Sequence, residues 1–178
     1  MLMPRLPLLK WQILQKLSVD MDFSVNKEDV VKPHTKRLGR EFAMQFLFSC
    51  EMQGTLPGAT LFDNFFESVC SEYKLRDNRL ARKGKEYAKA LYTEVALHKD
   101  EIDAMISDHC ENWDWDRVSA VERNIMRVAI AEMLYMPDVP EIVSIDEAVE
   151  IARDFSGEKG GNFINGVLNA VKNTIIKE

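Results

Sequence analysis

Ser119-Ala120-Val121-Glu122-Arg123-Asn124-Ile125-Met126-Arg127-Val128-Ala129-Ile130-Ala131-Glu132-Met133-Leu134-Tyr135 is the stretch that decides the fold. Its first four residues have the pattern of a capping box. A serine at the N-cap and a glutamate three residues on can each satisfy a backbone N–H that the first helical turn leaves without a partner. From Ile125 to Tyr135 the run is apolar almost all round, interrupted by Arg127 and Glu132. A helix that is apolar on every side has to be surrounded by other elements. The stretch is therefore predicted to be the central buried helix, stopped by Pro137 and Pro140.

The neighbouring sequence has the same helical period. Downstream, Ser144-Ile145-Asp146-Glu147 reads as a second capping box, followed by an inward stripe of Ile145, Ala148, Val149, Ala152 and Phe155. Ser156-Gly157 is the stop, and Gly160-Gly161 frees the backbone to turn into a last helix carrying Phe163, Ile164, Val167, Leu168, Val171 and Ile175. Upstream, Thr35 is a good N-cap for a helix with Phe42, Ala43, Phe46, Leu47 and Cys50 on one stripe, ended by Gly54, Pro57 and Gly58. Further helices are predicted over about Leu61–Tyr73, Asn78–His98 and Asp100–Glu111. No segment alternates with period two. The fold class is all-α: a seven-helix bundle made of two small bundles packed together, 32–98 and 99–178.

The 178 residues suffice for one ordinary domain or two small subdomains with a shared core. With 46% hydrophobic and 29% charged residues, the composition is that of a folded chain rather than a disordered one. Cys50, Cys70 and Cys110 are odd in number and scattered, which points to a reducing cytoplasm rather than a disulfide framework. No apolar run is long enough to span a membrane. Residues 1–31 read differently: Met1 to Leu17 is basic, acid-free and broken by two prolines. That segment is expected to be a disordered extension or the product of a mis-set start, with Met21 beginning a plausible chain, in preference to a targeting peptide.

The net charge of −6 looks unfavourable to a nucleic-acid binder, but it conceals an asymmetry. Residues 31–40 carry Lys32, Lys36, Arg37 and Arg40 and no acid; residues 74–89 carry seven cations against Asp77 and Glu86. These two segments sum to +9, leaving −15 for the rest, and Glu94 to Glu158 holds 17 acids against 5 bases. A basic half suits phosphates and an acidic half suits a basic protein; the alternative is two solvated helix faces. Arg40, Met44 and Phe48 recur at four-residue spacing, on a face distinct from the Phe42-Phe46-Cys50 stripe. An aromatic on a basic face can stack a base while cations hold phosphates; alternatively, Phe48 packs beneath the second or third helix.

No catalytic constellation stands out. There is no GxSxG, P-loop or GxGxxG motif. His34, His98, His109 and Cys110 lack the four-ligand spacing of a closed zinc site, so neither metal nor cofactor is expected. Asp114 and Asp116 read as helix-terminus residues beside Trp113 and Trp115.

Several blocks, taken together and in order, resemble the NusB transcription antitermination factor family. They are Trp113-Asp114-Trp115-Asp116-Arg117, Val121-Glu122-Arg123-Asn124-Ile125-Met126-Arg127, Pro137-Asp138-Val139-Pro140, Ile145-Asp146-Glu147-Ala148-Val149-Glu150-Ile151-Ala152 and Phe163-Ile164-Asn165-Gly166-Val167-Leu168. Near the N-terminus, Lys32-Pro33 and Lys36 to Gln45 resemble that family's arginine-rich first helix. The resemblance covers about residues 32 to 175. It implies an all-helical, non-enzymatic protein that binds a boxA-type single-stranded RNA element of ribosomal RNA transcripts together with ribosomal protein S10. That complex would support RNA polymerase in passing terminators.

The resemblance assigns RNA contact to Lys32, Lys36, Arg37, Arg40, Phe48 and Phe163, and the partner interface to Asp116 and Glu122. Phe48 stands where some relatives have tyrosine. Lys159, Gly160, Gly161 and Asn162 depart from the family's loop, and Glu141 stands where some relatives have an aromatic. Some members form homodimers that mask the RNA face; the sequence leaves oligomeric state open. Two other functions compete. One is a protein-interaction module without RNA affinity. The other is an accessory domain like the leading domain of ribosomal RNA cytosine methyltransferases, although no S-adenosylmethionine fold follows it here.

Overall fold

The computed structural model describes residues 31–73, 79–110 and 118–175. Among these the regular structure is entirely helical: α1 Val31–Gln53, α2 Ala59–Tyr73, α3 Arg79–Leu97, α4 Lys99–Asp108, α5 Ala120–Tyr135 and α6 Glu141–Ile175. At Gly157, φ is +76° and ψ −177°, which breaks α6 into two arms. A side chain would be strained there, so glycine suits the position. The arms, 141–156 and 158–175, are the separate sixth and seventh helices of the sequence reading, and the all-α class stands.

The capping box of α5 forms as expected. Ser119 Oγ accepts from the Glu122 backbone N–H at 3.2 Å, and a Glu122 carboxylate oxygen accepts from the Ser119 backbone N–H at 3.2 Å. Every residue from Asn124 to Met133 is buried. The buried apolar side chains of α1 through α6 form one continuous cluster. Phe42, Phe46, Phe62, Phe66 and Tyr92 meet at edge-on or tilted angles, with Phe62 and Tyr92 centroids 4.7 Å apart and Phe46 and Tyr92 4.9 Å apart. Such pairs each contribute about 0.5–1.5 kcal/mol beyond area burial.

Three local expectations are corrected. Thr35 does not cap α1: the helix already runs at Val31. Pro33 falls in the first described turn, where a missing N–H need not break the helix. Ser144 does not cap α6: the Pro140 carbonyl accepts from Val143 at 2.9 Å and Ser144 at 3.3 Å, so the helix begins about a turn earlier and Ser144 is buried inside it. Gly160 and Gly161 do not make the turn, which Gly157 makes alone; they are buried, helical and tightly packed. A Cβ on Gly161 would lie 2.7 Å from Arg153 Cγ.

Two glycines set the approach of α1 to α3. A Cβ on Gly39 would lie 2.8 Å from the Tyr87 Cβ and 3.0 Å from the Gly84 carbonyl oxygen. Leu38 packs over Gly84, where a Cβ would lie 3.3 Å from the Leu38 side chain. The helices run side by side in the same sense, with Gly39 near Gly84 and Phe46 near Tyr92.

A second tie closes the other end of α1. The Glu51 carboxylate accepts from Arg123 at 2.6 Å, Asn124 at 2.8 Å and Arg127 at 2.6 Å. Arg127 in turn grips Asp103 of α4 through two bonds, 2.6 and 2.9 Å long. Burial works to raise the Glu51 pKa, but the hydrogen bonds from Arg123 and Asn124 and the charge of Arg127 outweigh it and hold the group below its ordinary value.

Two outcomes follow from these contacts. Gly39→Ala should cost about 1–3 kcal/mol by overpacking, whereas Gly166→Ala, with open space around it, should stabilise by up to about 1 kcal/mol through helix propensity; thermal melts of both read this, and equal effects would remove the close-approach argument. For Glu51 the native pKa lies below the unfolded one, so its contribution is present above about 4.5 and is lost as pH falls through the native value. Glu51→Gln should be less stable at neutral pH and should lose less stability than the parent on acidification, as followed by urea titrations across that range.

Candidate nucleic-acid interface

The sequence places Lys36, Arg37, Arg40 and Phe48 on one helix, and the structure sorts them by depth. Lys36 is partly exposed, with its ammonium 5.4 Å from the centre of the Tyr87 ring. Arg37 keeps 20% of its side-chain surface, but its guanidinium meets Glu41 at 2.8 Å, Asp154 at 2.6 Å and Glu147 at 3.5 Å. Burial alone would pull its pKa down; the three carboxylates more than offset that.

Arg40 is only 3% exposed, Met44 0% and Phe48 9%. The expectation of a separate face presenting Arg40 and Phe48 is corrected here: α5 and α6 cover Arg40 and Met44, and Phe48 is buried as well. A small cavity of about 10 Å³ lies where these helices meet, lined by Arg40, Met44, Ile125, Val128, Ala129, Ser144, Ala148 and Ile151. One flank of α1 thus packs on α2 and α3 and the other on α5 and α6. Buried as it is, Phe48 offers little ring for a base to stack on.

Arg40 is held by a carboxylate that the sequence showed only as an interruption. Glu132, fully buried in α5, accepts from Arg40 Nε at 2.9 and 3.0 Å, from Ser144 Oγ at 2.6 Å and from the Tyr87 hydroxyl. Glu147 lies 3.3 Å from another Arg40 nitrogen. Burial and the hydrogen bond to Glu132 push the Tyr87 phenol well above the ordinary tyrosine value. The readable signal was a pair of opposite charges on otherwise apolar faces. Neither could be buried without the other.

The remaining assignments fall elsewhere. Phe163 is half-buried on the second arm of α6, against the core. The Glu122 carboxylate is committed to its capping box, and Gly160 lies so close that an added Cβ would be 3.0 Å from it. The Lys32 side chain and Asp116 lie outside the described residues, as do the other members of the 111–117 segment. Lys159 and Asn162 are exposed on α6, and Glu141 opens α6 beside the exposed Ile142 and Val143.

Among the described residues no cluster of His, Cys, Asp and Glu could hold a metal ion. His109 bridges the Met105 carbonyl at 2.8 Å and Thr174 Oγ1 at 2.9 Å, and His98 stacks on Tyr135 with centroids 4.0 Å apart. No described helix is long and apolar enough to cross a membrane.

Fold and site together define an all-helical protein with oppositely charged regions. A family model, the NusB family, matches residues 37–173. The chain belongs to the NusB family of transcription antitermination factors, whose members are RNA-binding proteins and not enzymes. It is 39% identical over 136 residues to the transcription antitermination protein NusB of Myxococcus xanthus (strain DK1622), covering 76% of this chain and 93% of the relative. The NusB protein of Bacillus mycoides (strain KBAB4) is 35% identical, covering 79% and 98%. A chain from the crystal structure of antitermination factors NusB and NusE in complex with dsRNA superposes with a TM-score of 0.65 at 28% identity, over 79% of this chain and 97% of that one. The solution structure of NusB from Aquifex aeolicus gives 0.64 at 27% identity, over 80% and 90%.

Removing the carboxylate beneath this face should destabilise the fold. Glu132→Ala leaves Arg40 buried without its partner and should cost about 3–5 kcal/mol, read as a lower urea midpoint with an unchanged slope. A midpoint within experimental error of the parent would show that the buried pair is not what fastens α1.

Proposed function

We propose that this chain binds a boxA-type single-stranded RNA together with ribosomal protein S10, in the cytoplasm, and so helps RNA polymerase to transcribe ribosomal RNA operons past terminators. The observation that carries this reading is the side-by-side placement of the two basic segments, 31–40 on α1 and the described part of 74–89 on α3. A relative solved with NusE and dsRNA supports the pairing of RNA with a protein partner.

The roles divide by depth. Lys32, Lys36 and Phe163 are proposed to touch RNA, with Arg37 at the edge, where phosphate would compete with Glu41, Glu147 and Asp154. Arg40 and Phe48 support that surface from beneath. Asp116 and Glu122 are proposed to face the protein partner. On this reading 32–98 is the RNA-facing bundle, joined by Phe163 from the second arm of α6, and the acidic remainder of 99–178 faces the partner. A basic protein held by the acidic half would offset the repulsion between that half and RNA.

The test is a competition gel with boxA-type RNA, with and without S10. Affinity should rise with S10 and fall with salt through counterion release. Lys36→Ala should weaken RNA binding without lowering stability, and Lys36→Ala with Arg37→Ala should weaken it further. S10 capture without any RNA binding would replace this reading with that of a pure protein-interaction module.

A further inference from the structure

Among the described residues most α1, α4 and α5 cations are already paired. Arg37 and Arg40 are held by carboxylates, Arg123 and Arg127 by Glu51, and Lys99 by Asp103 at 2.7 Å. On α3, Lys85 is likewise held, 2.8 Å from Asp63 and 4.9 Å from the Phe66 ring centre. Arg79 and Lys83 are different. Both are exposed, and neither has a carboxylate partner.

Their positions continue the α1 face. Arg79, Lys83 and Tyr87 recur at four-residue spacing and so line one side of α3. Tyr87 is the residue over which Lys36 lies, and the residue whose Cβ Gly39 admits at close range. Because α1 and α3 run in the same sense, the row Lys36–Lys83–Arg79 leads along α3 toward the end where the basic segment of α1 begins. From Arg79 to Thr93 the solvent face around it carries Arg79, Arg82, Lys83, Glu86, Lys89, Ala90 and Thr93, with no large apolar side chain; the exposed Leu97 lies at the far end of α3. A protein interface would need an apolar or aromatic centre there. Exposed cations such as Arg79 and Lys83, four residues apart, instead suit a polyanion, through counterion release.

We infer that Arg79 and Lys83 form a phosphate track which continues the Lys36 surface and holds RNA backbone flanking the recognised element, without reading its bases. The inference rests on the RNA-binding reading above and adds two residues on a different helix to it. Contacts of this kind position a strand and carry no sequence information.

The experiment compares the full chain with Arg79→Ala/Lys83→Ala on two single-stranded RNAs, one restricted to the boxA-type element and one extended at both ends. For the extended RNA, the slope of log affinity against log salt should fall by about 1.4, at about 0.7 per phosphate contact on a single strand. For the short RNA it should change much less. Lys85→Ala removes a cation that is already paired, and should leave both slopes unchanged. Circular dichroism verifies that the variants fold. An unchanged slope on the extended RNA would overturn the track. So would an equal loss in Lys85→Ala, which would reduce the effect to net charge. Lost binding to phosphatidylserine vesicles with RNA affinity intact would give the surface to a membrane instead. If the unaltered chain binds neither RNA, the functional reading fails and the track with it.

Discussion

Glu132 is a carboxylate with no exposed surface, set in a helix that is otherwise apolar through its buried length. Such a group is tolerated only when paired and hydrogen-bonded. Here it takes one donor from each of three other helices: Arg40 from α1, Tyr87 from α3 and Ser144 from α6. Rotating α1 by one residue would carry Arg40 away and strand both charges. Replacement by apolar side chains of similar volume is often neutral or stabilising for buried pairs. What this pair supplies is therefore register: it fixes which way α1 faces, and so which of its cations reach solvent.

That register explains how a chain of net charge −6 presents a basic face. The cations of α1 are graded by depth, from Lys36 near the surface through Arg37 at the rim to Arg40 inside. Gly39 and Gly84 then allow α3 to come close enough for its own cations to extend the same face. Two segments separated by more than thirty residues of sequence become one surface. The acids of α6 form its border, since Glu147 and Asp154 both reach Arg37.

Much of this was legible in the sequence, and the failures have physical causes. The central helix, its capping box and the Gly157 break were readable because each is local: periodicity, a side-chain cap and a positive φ need no knowledge of neighbours. The Ser144 box failed because Pro140 offered an earlier start and because Ser144 had a better partner in Glu132, twelve residues back. The Arg40-Met44-Phe48 face failed for a related reason. Amphipathicity assigns one buried stripe to a helix, whereas α1 lies between two layers and buries two. Arginine on the second stripe reads as surface until the acid opposite it is known. The basic segments were visible as composition, but their adjacency depends on a glycine-to-glycine contact that no periodicity records.

On the proposed reading, the carboxylates around Arg37 have a consequence for selectivity. A phosphate approaching that guanidinium meets Glu41, Glu147 and Asp154 as well. The attraction there is partly cancelled, and at an ionic strength of 0.15 M cations beyond about 8 Å contribute little. A strand lying only across the α1 rim would gain little from electrostatics. A strand that also runs along Lys36, Lys83 and Arg79 would meet cations with no competing carboxylate on them. RNA affinity would then depend on how the strand is aligned, and alignment is what a second protein bound to the acidic half can impose. Weak, geometry-dependent attraction is in this sense better suited to an adaptor than a uniformly basic surface, which would hold any RNA in any register.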